Sequence, residues 1–437
     1  MVRCPARADR FPDSAEREAI VLPMRIEVVN TGSELLLGKV INTHAAFFGQ
    51  ELFKLGLRIQ RQTTIPDGDD IRVVLAEAFP RCDVILITGG LGPTSDDITR
   101  EVVAEMLGRS LLLDQSILDT INEMFRRRGL KQNRSNDRQA MVPEGALVLD
   151  NPNGTAPGLY LPADPVAGSP HLFLLPGPPR ELKPMYENLV GPAIAGLLSA
   201  DQERPEWLNF KIFGVGESSL ASALEPDFDK IPGLEVGYCA RLGEVDLRLI
   251  GAPAAVNEAA ALVRTGFARE IVTESEDAIE QVILELLLGR GETVATAESC
   301  TGGSIASSIT DVPGSSGIFQ RGYVTYSNEA KSDILGVPLA ILEAHGAVSN
   351  ETVEAMATGC LAASGADHAI AVSGIAGPGG GSEAKPVGTV HIAIASKQGG
   401  IFSKRYYFPV ERISFKMRVT RQALDLLRRR LLGFPLD

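Results

Sequence analysis

Apolar residues near the start of the chain switch between two spacings. Arg25–Gly32, RIEVVNTG, reads as a strand ending in a turn, and INTHAAFFGQELFKLGL spaces its apolar residues as a helix does. RIQRQTTIPD reads as a strand, IRVVLAEAF as a helix and CDVILITGG as a buried strand. DITREVVAEMLG then places Ile98, Val102 and Met106 on one helical stripe. This succession predicts a mainly parallel sheet with helices on both faces. Ligands of such sheets bind at the carboxyl ends of the strands. Both Gly-rich turns, TGSELLLG and TGGLGPTSDD, lie there.

Pro and Gly crowd the stretch from Pro143 to Gly191, where NPNGTAPG and LPGPPREL predict ordered loops close to the first domain's site. The composition turns polar at Asp201–Pro205, which marks a boundary. From Trp207 to Thr273 a smaller α+β unit follows. FKIFGVGESSLASAL reads as strand, turn and helix, LEVGYCARLGEVDLRLIG as a hairpin, and PAAVNEAAALVRTGFARE as a helix. It holds no catalytic cluster, so spacing or dimerisation is its expected role. The last domain opens near Asp277 with the helix AIEQVILELLLG and the strand TVATAE. Strands HAIAVSG and VGTVHIAIAS follow, then a helix over Ile413–Leu432. The domains expected are 24–200, 201–276 and 277–437, preceded by an extension over 1–23.

Composition narrows the function. A chain of 437 residues is long for one core and suggests two to four domains. With 44% hydrophobic and 22% charged residues it belongs among soluble globular proteins. The net charge of −13 argues against nucleic acid as a partner. The basic runs FRRRGLKQNR and LLRRRLL are short and read as solvated helix faces or local phosphate contacts. The longest apolar run, VILELLLG, is interrupted by Glu285 and falls short of a membrane span. Residues 1–23 contain arginines without a secretory core and are expected to be poorly ordered, with Met24 an alternative start. Five scattered cysteines without CxxC or Cys/His spacing point to reduced thiols in a cytoplasmic protein.

The densest chemistry lies in Thr296–Lys331, which combines TAESCTGG with GSSGIFQRGYVTYSNEAK. Hydroxyls beside glycines, followed by Tyr and Lys, are what amide hydrolysis by a Ser/Lys pair needs. In TAESCTGG the loop between strand and helix presents N–H groups and hydroxyls, a ready anion site. Taken singly, Ser299 and Thr301 read as helix caps. The second string sets Ser316 before Tyr326 and Lys331. A lysine serves as base when burial or a nearby cation lowers its pKa, although a lone lysine is by default solvated. No histidine suits a Ser-His-Asp triad: His345 reads as a helix end, and His368 and His391 open apolar strands away from the Gly-rich ends. Ser373 ends an apolar strand, and the glycines of SGIAGPGGGSEAKPVGTV let backbone approach a ligand.

TAESCTGG, GSS followed by F, RGYVTYSNEAK, HGAVS and SGIAGPGGGSEAKPVGTV together resemble the nicotinamide-nucleotide amidase (PncC) family, from Asp277 to the C-terminus. That family hydrolyses the carboxamide of nicotinamide mononucleotide to the acid and ammonia, without a cofactor. The resemblance implies Ser316 as nucleophile, activated by Lys331 and Tyr326, with Ser299 left open as the alternative. It further implies substrate contacts from Ser299, Thr301, Gly302, Gly303, Ser373, Gly374 and Arg412. A different carboxamide as substrate is the third reading.

TGGLGPTSDDIT pairs Asp96 and Asp97 with a Gly-rich turn at a strand end, and Glu34 belongs to the other such turn. Carboxylates there hold a divalent cation that bridges phosphates, though Asp97 alone reads as a helix cap and Asp96 as solvated. The pattern resembles the molybdopterin-binding fold, and with NxxGTAPG and LPGPPRE it is similar to the CinA family, as is the domain order. The resemblance implies an N-terminal three-layer α/β sandwich, a small α+β middle domain and a C-terminal α/β amidase domain. It also implies cleavage of ADP-ribose to AMP and ribose 5-phosphate with Mg, Mn or Co held by Asp96, Asp97 and Glu34. Gly89, Gly90 and Gly92 then contact substrate, and the chain is a homodimer. The competing expectation is a pterin- or nucleotide-binding module without turnover that serves competence or DNA-damage responses.

Overall fold

The computed structural model describes residues 24–129, 134–198 and 205–436. The extension expected over 1–23 and the boundary expected from Asp201 lie outside the described residues. The chain divides into two compact units, Met1–Pro205 and Glu206–Asp437.

In chain order the first unit runs β1 (Ile26–Thr31), α1 (Ser33–Leu36), α2 (His44–Lys54), β2 (Ile59–Ile65), α3 (Asp70–Ala78), β3 (Val84–Thr88), α4 (Thr99–Met106), β4 (Leu111–Leu113), α5 (Gln115–Arg127), β5 (Met141–Pro143), β6 (Leu147–Leu149), β7 (Gly158–Leu161), β8 (His171–Leu175), α6 (Pro179–Met185) and α7 (Gly191–Leu197). Six strands form one sheet in the order β2-β1-β3-β8-β7-β6. The first four are parallel, and β7 and β6 close the edge antiparallel. Side-chain alternation along β1 covers both faces. Ile26 and Val28 join Phe48 and Leu52 of α2, while Val29 joins Ile71 of α3 and Val103 of α4. The result is the three-layer sandwich expected from the strand–helix succession.

Two segments differ from the sequence reading. The Pro/Gly-rich stretch after Pro143 contains β6, β7 and β8, and β8 is a central strand beside β3. These strands are too short for alternation to show between breakers. Helix α5, of which the sequence reading touched only the basic run at its end, as a helix face or phosphate contact, is capped by Asp114, whose carboxylate accepts from Ser116 N and Ile117 N. Only Ile117 and Ile121 of α5 are buried, which leaves a weak apolar signal.

The second unit continues with β9 (Glu206–Phe213), α8 (Glu217–Phe228), β10 (Glu235–Arg241), β11 (Glu244–Gly251), α9 (Pro253–Phe267), β12 (Ile271–Thr273), α10 (Ile279–Arg290), β13 (Val294–Glu298), α11 (Ser304–Thr310), β14 (Phe319–Val324), α12 (Asn328–Leu335), α13 (Leu339–His345), α14 (Asn350–Ser364), β15 (His368–Gly374), β16 (Thr389–Ser396), β17 (Gly400–Tyr407) and α15 (Arg412–Leu432). An antiparallel sheet β10-β11-β9-β12 packs on α8 and α9. The second sheet runs β14-β13-β15-β16-β17, with β14, β13 and β15 parallel and β16 and β17 antiparallel. Helices α10, α11 and α15 cover one face, and α12, α13 and α14 the other.

The basic run LLRRRLL is not a solvated face throughout. Arg428 is fully buried; it donates to Asp425 Oδ1 and to the carbonyls of Ile271 and Arg269. Burial pushes the Asp425 carboxyl above its ordinary value despite Arg428 and Arg429 beside it. Arg428→Ala removes one of the two guanidinium groups beside Asp425 and leaves two carbonyls without donors. A loss of roughly 3 kcal/mol is expected, read as a lower urea midpoint for unfolding.

Candidate active sites

In the second unit, β13 delivers Ser299 just past its carboxyl end, where Ser299 N donates to Val372 O (3.0 Å). The turn that follows needs Gly302 and Gly303, whose φ values of +62° and +92° are left-handed. Glu298, buried, holds the start of α11 in place: its carboxylate accepts from Thr301 Oγ1 (2.7 Å), Ile305 N (3.0 Å) and Ala306 N (2.8 Å). The Thr301 hydroxyl is therefore committed to the turn. Cys300 is buried, and burial pushes its thiol up to about 12, so it stays protonated and inert at neutral pH.

Lys331 lies in the first turn of α12 and is 1% exposed. Its amine is 3.2 Å from Ser299 Oγ and 2.9 Å from the Thr325 carbonyl, with the carbonyls of Tyr326 and Ser327 each at 3.4 Å. Burial lowers its pKa from the ordinary 10.5. A neutral amine keeps two N–H donors for the carbonyls and turns its lone pair to the Ser299 hydroxyl.

Ser316 does not meet Lys331. It sits exposed in the turn Ser315–Gly317 before β14, whereas Lys331 follows β14. The parallel register pairs Phe319 with Val294 and Val324 with Glu298. Ser316 therefore lies near the amino ends of these strands, and Ser299 and Lys331 near the carboxyl ends. Six extended residues, about 17 Å of strand, carry the chain between them. Nearness in sequence misled because an extended strand intervenes; Ser299 comes from further back by a parallel crossover.

The remaining expected groups gather around Ser299 in part. Arg412, at the start of α15, donates to Gly377 O (2.8 Å) and to the Tyr326 hydroxyl (3.3 Å). The phenol of Tyr326 thus meets Arg412, while its carbonyl faces Lys331. Ser373 is buried and donates to Ala347 O (2.6 Å), and Gly374 ends the same strand. One turn beyond Arg412, Lys416 reaches to 3.8 Å from where a Cβ on Gly302 would stand. Lys416 was not singled out in the sequence; its i+4 spacing from Arg412 was the available signal. His391 also differs from expectation. Because β16 runs antiparallel, its start lies at the Gly-rich end, with His391 opposite Ser373. Burial, then Arg405 and Lys385, lower its imidazole to about 4, and its Nδ1 is 2.7 Å from Asn350 Oδ1.

In the first unit a cleft of about 360 Å³ opens at the carboxyl ends of β1, β3 and β8. Gly89, Gly90, Gly92, Asp96, Asp97 and Glu34 all line it, joined by Asp67, Gln139, Thr155 and Glu181. A Cβ on Gly89 would stand 2.4 Å from Thr31 Oγ1, and one on Gly90 2.0 Å from Thr99 Oγ1, so this turn admits no side chain at either place. Asp97 accepts from Thr94 N (2.9 Å) and from the Thr94 hydroxyl, which closes the turn. The Thr94 side chain, then the Asp96 backbone, lower the Asp96 carboxyl from its ordinary value.

The expected metal set does not form a cage. Asp96, Asp97 and Glu34 share the cleft, yet among the described residues no three Asp, Glu, His or Cys side chains converge to hold an ion. Glu34 sits on the exposed helix α1, and Asp97 is occupied by Thr94. Hard carboxylate oxygens around a cleft still fit a divalent cation bound by one or two carboxylates together with substrate phosphates. Glu181, not singled out beforehand, is 8% exposed and accepts from Asn151 Nδ2 (2.9 Å). The motifs NPNGTAPG and LPGPPREL carried the signal, since a Cβ on Gly154 would stand 1.9 Å from Glu181 Oε2.

Three family models match the chain: "Probable molybdopterin binding domain" over residues 27–196, "Damage-inducible protein CinA KH domain" over 209–279, and "CinA C-terminal domain" over 276–431. A CinA-like protein of Akkermansia muciniphila is 46% identical over 92% of this chain and 96% of its own length. A relative from Symbiobacterium thermophilum, named for competence and damage induction, is 44% identical over 94% of this chain and all of its own. A CinA-like protein of Mycobacterium marinum is 40% identical over 93% of this chain and 98% of its own.

Proposed function

The chain belongs to the CinA family, and on that premise we propose that it carries two hydrolytic sites for pyridine-nucleotide metabolites. The C-terminal site hydrolyses nicotinamide mononucleotide to nicotinate mononucleotide and ammonia. The observation that carries this reading is the buried Lys331 amine 3.2 Å from Ser299 Oγ. Ser299 attacks the carboxamide carbon as its proton passes to neutral Lys331. The resulting ammonium protonates the departing nitrogen, ammonia leaves, and the acyl group stays on Ser299 as an ester. Lys331 then takes a proton from water as its oxygen adds to the ester, and returns that proton to Ser299 Oγ as the ester bond breaks and the acid leaves. Incubation of the protein with nicotinamide mononucleotide tests the reading by ammonia release; no release refutes it.

Arg412 and Lys416 rise from one face of α15 beside the Gly302 turn and supply the positive charge for the substrate phosphate. Lys416→Gln is expected to raise KM for nicotinamide mononucleotide about tenfold, as loss of one charged hydrogen bond does. KM for nicotinamide riboside, which has no phosphate, stays unchanged. Steady-state kinetics on both substrates checks this.

The N-terminal cleft cleaves ADP-ribose to AMP and ribose 5-phosphate. Five carboxylates around one cleft repel a diphosphate unless a divalent cation neutralises them, and Asp96, Glu34 and Glu181 are the candidates to hold it. A cation held by these carboxylates would offset the charge of the diphosphate and supply Lewis acidity there. The lack of a converging carboxylate set favours a second reading, a pterin- or nucleotide-binding module without turnover. AMP formation with added Mg²⁺, Mn²⁺ or Co²⁺ separates the two.

A further inference from the structure

Arg100 is the second residue of α4 and shares its buried side with Val102 and Val103. It is fully buried. Among the described residues its guanidinium makes a single hydrogen bond, from Nη1 to the Leu91 carbonyl (3.2 Å). Nε and Nη2 are buried without a partner. Glu101 and Asp97 act on the guanidinium only through space. The Glu101 carboxylate accepts from Arg138 (2.7 Å), and that of Asp97 from Thr94. An arginine stays charged when buried, and a buried charge without an ion partner works against folding. Val102 and Val103 show that an apolar side chain suits this face, so packing alone does not explain Arg100.

The turn that Arg100 holds shows where the charge is used. The Gly89 and Gly90 carbonyls accept from Thr99 Oγ1 (3.1 Å) and Thr99 N (3.2 Å), and the Leu91 carbonyl accepts from Arg100. Arg138 holds the carbonyls of Thr94 (2.8 Å) and Asp97 (3.3 Å). These peptides are trans, and in a trans peptide the N–H points opposite to the carbonyl. The N–H groups of Gly90, Leu91 and Gly92 are therefore turned away from α4. All three residues line the acidic cleft, and none of the three N–H groups donates to a described residue. No Lys or Arg among the described residues lines that cleft. Positive charge reaches it from behind the turn, where Arg138 is bonded to Glu101 and Arg100 has no carboxylate.

We propose that Arg100 is a positioning residue for a diphosphate in this cleft: it holds the turn with three N–H groups toward the phosphates and lends them its unpaired charge across the Leu91–Gly92 peptide. The inference rests on the ADP-ribose reading of the cleft and adds to it a buried group that touches neither substrate nor cation.

Calorimetric titration of the full chain with ADP in Mg²⁺, read beside urea unfolding, provides the test. Arg100→Met keeps the length of the side chain and removes its charge. ADP affinity is expected to fall about tenfold, the scale of one charged hydrogen bond. The unfolding midpoint is expected to hold or rise, because an apolar side chain replaces a buried charge that has no partner. Arg100→Lys serves if the methionine variant misfolds. Burial favours the neutral amine as pH rises, whereas arginine stays charged. The lysine variant is therefore expected to match the wild-type chain for ADP at about pH 6 and to fall behind it toward about pH 10. Unchanged ADP affinity in Arg100→Met, or a ratio of lysine-variant to wild-type affinity that does not vary with pH, overturns the role of Arg100 alone. A wild-type chain that binds ADP but forms no AMP from ADP-ribose overturns the cleavage reading and leaves Arg100 in place. One that binds neither ADP nor ADP-ribose overturns both.

Discussion

Ser299→Ala is expected to lower ammonia release from nicotinamide mononucleotide by about 10⁴-fold or more, whereas Ser316→Ala leaves it unchanged. The contrast follows from the sheet. Ser299 and Lys331 face each other past the carboxyl ends of β13 and β14, and Ser316 lies beyond the other end of β14. Lys331→Ala removes the proton acceptor and is expected to cost about 10³-fold. The pH profile carries a sign. The base acts only when neutral, and burial lowers Lys331 below 10.5. Activity therefore falls as pH drops through that lowered value and recovers above it. The limb disappears in Lys331→Ala. A coupled assay for ammonia across pH, on the three variants, reads all of this.

Chelation of divalent cations is expected to reduce ADP-ribose cleavage to background, with recovery on adding back Mg²⁺, Mn²⁺ or Co²⁺. The physical reason is charge: Glu34, Asp67, Asp96, Asp97 and Glu181 all line the space that must admit a diphosphate. Glu181→Gln keeps the size of the side chain and a partner for Asn151, and removes one negative charge. A loss of about 100-fold in AMP formation is expected if Glu181 helps hold the cation. Fold is checked by unchanged ammonia release from the C-terminal site.

Much of this architecture was legible in the sequence because its strands are buried on both faces. VV in β1, VILIT in β3 and AIAV in β15 are largely apolar stretches, and their strands appear where expected. β6 to β8 were hidden by the prolines and glycines between them, and α5 by its exposure. At the site of Ser299 and Lys331, residue types were legible and their pairing was not. TAESCTGG and SNEAK announced Ser299 and Lys331, but only the crossover from β13 through α11 to β14 shows which hydroxyl meets the amine. Arg428 teaches the converse: three arginines in a row suggest a wet surface, yet the first is buried against Asp425 and two carbonyls.

The pairing of Ser299 with Lys331 is tested most directly by a crystal structure of the Lys331→Ala variant with nicotinamide mononucleotide bound. The carboxamide carbon is expected about 3–3.5 Å from Ser299 Oγ, in line for attack, with the phosphate toward Arg412 and Lys416. A carboxamide held against Ser316, or turned away from Ser299, contradicts the account.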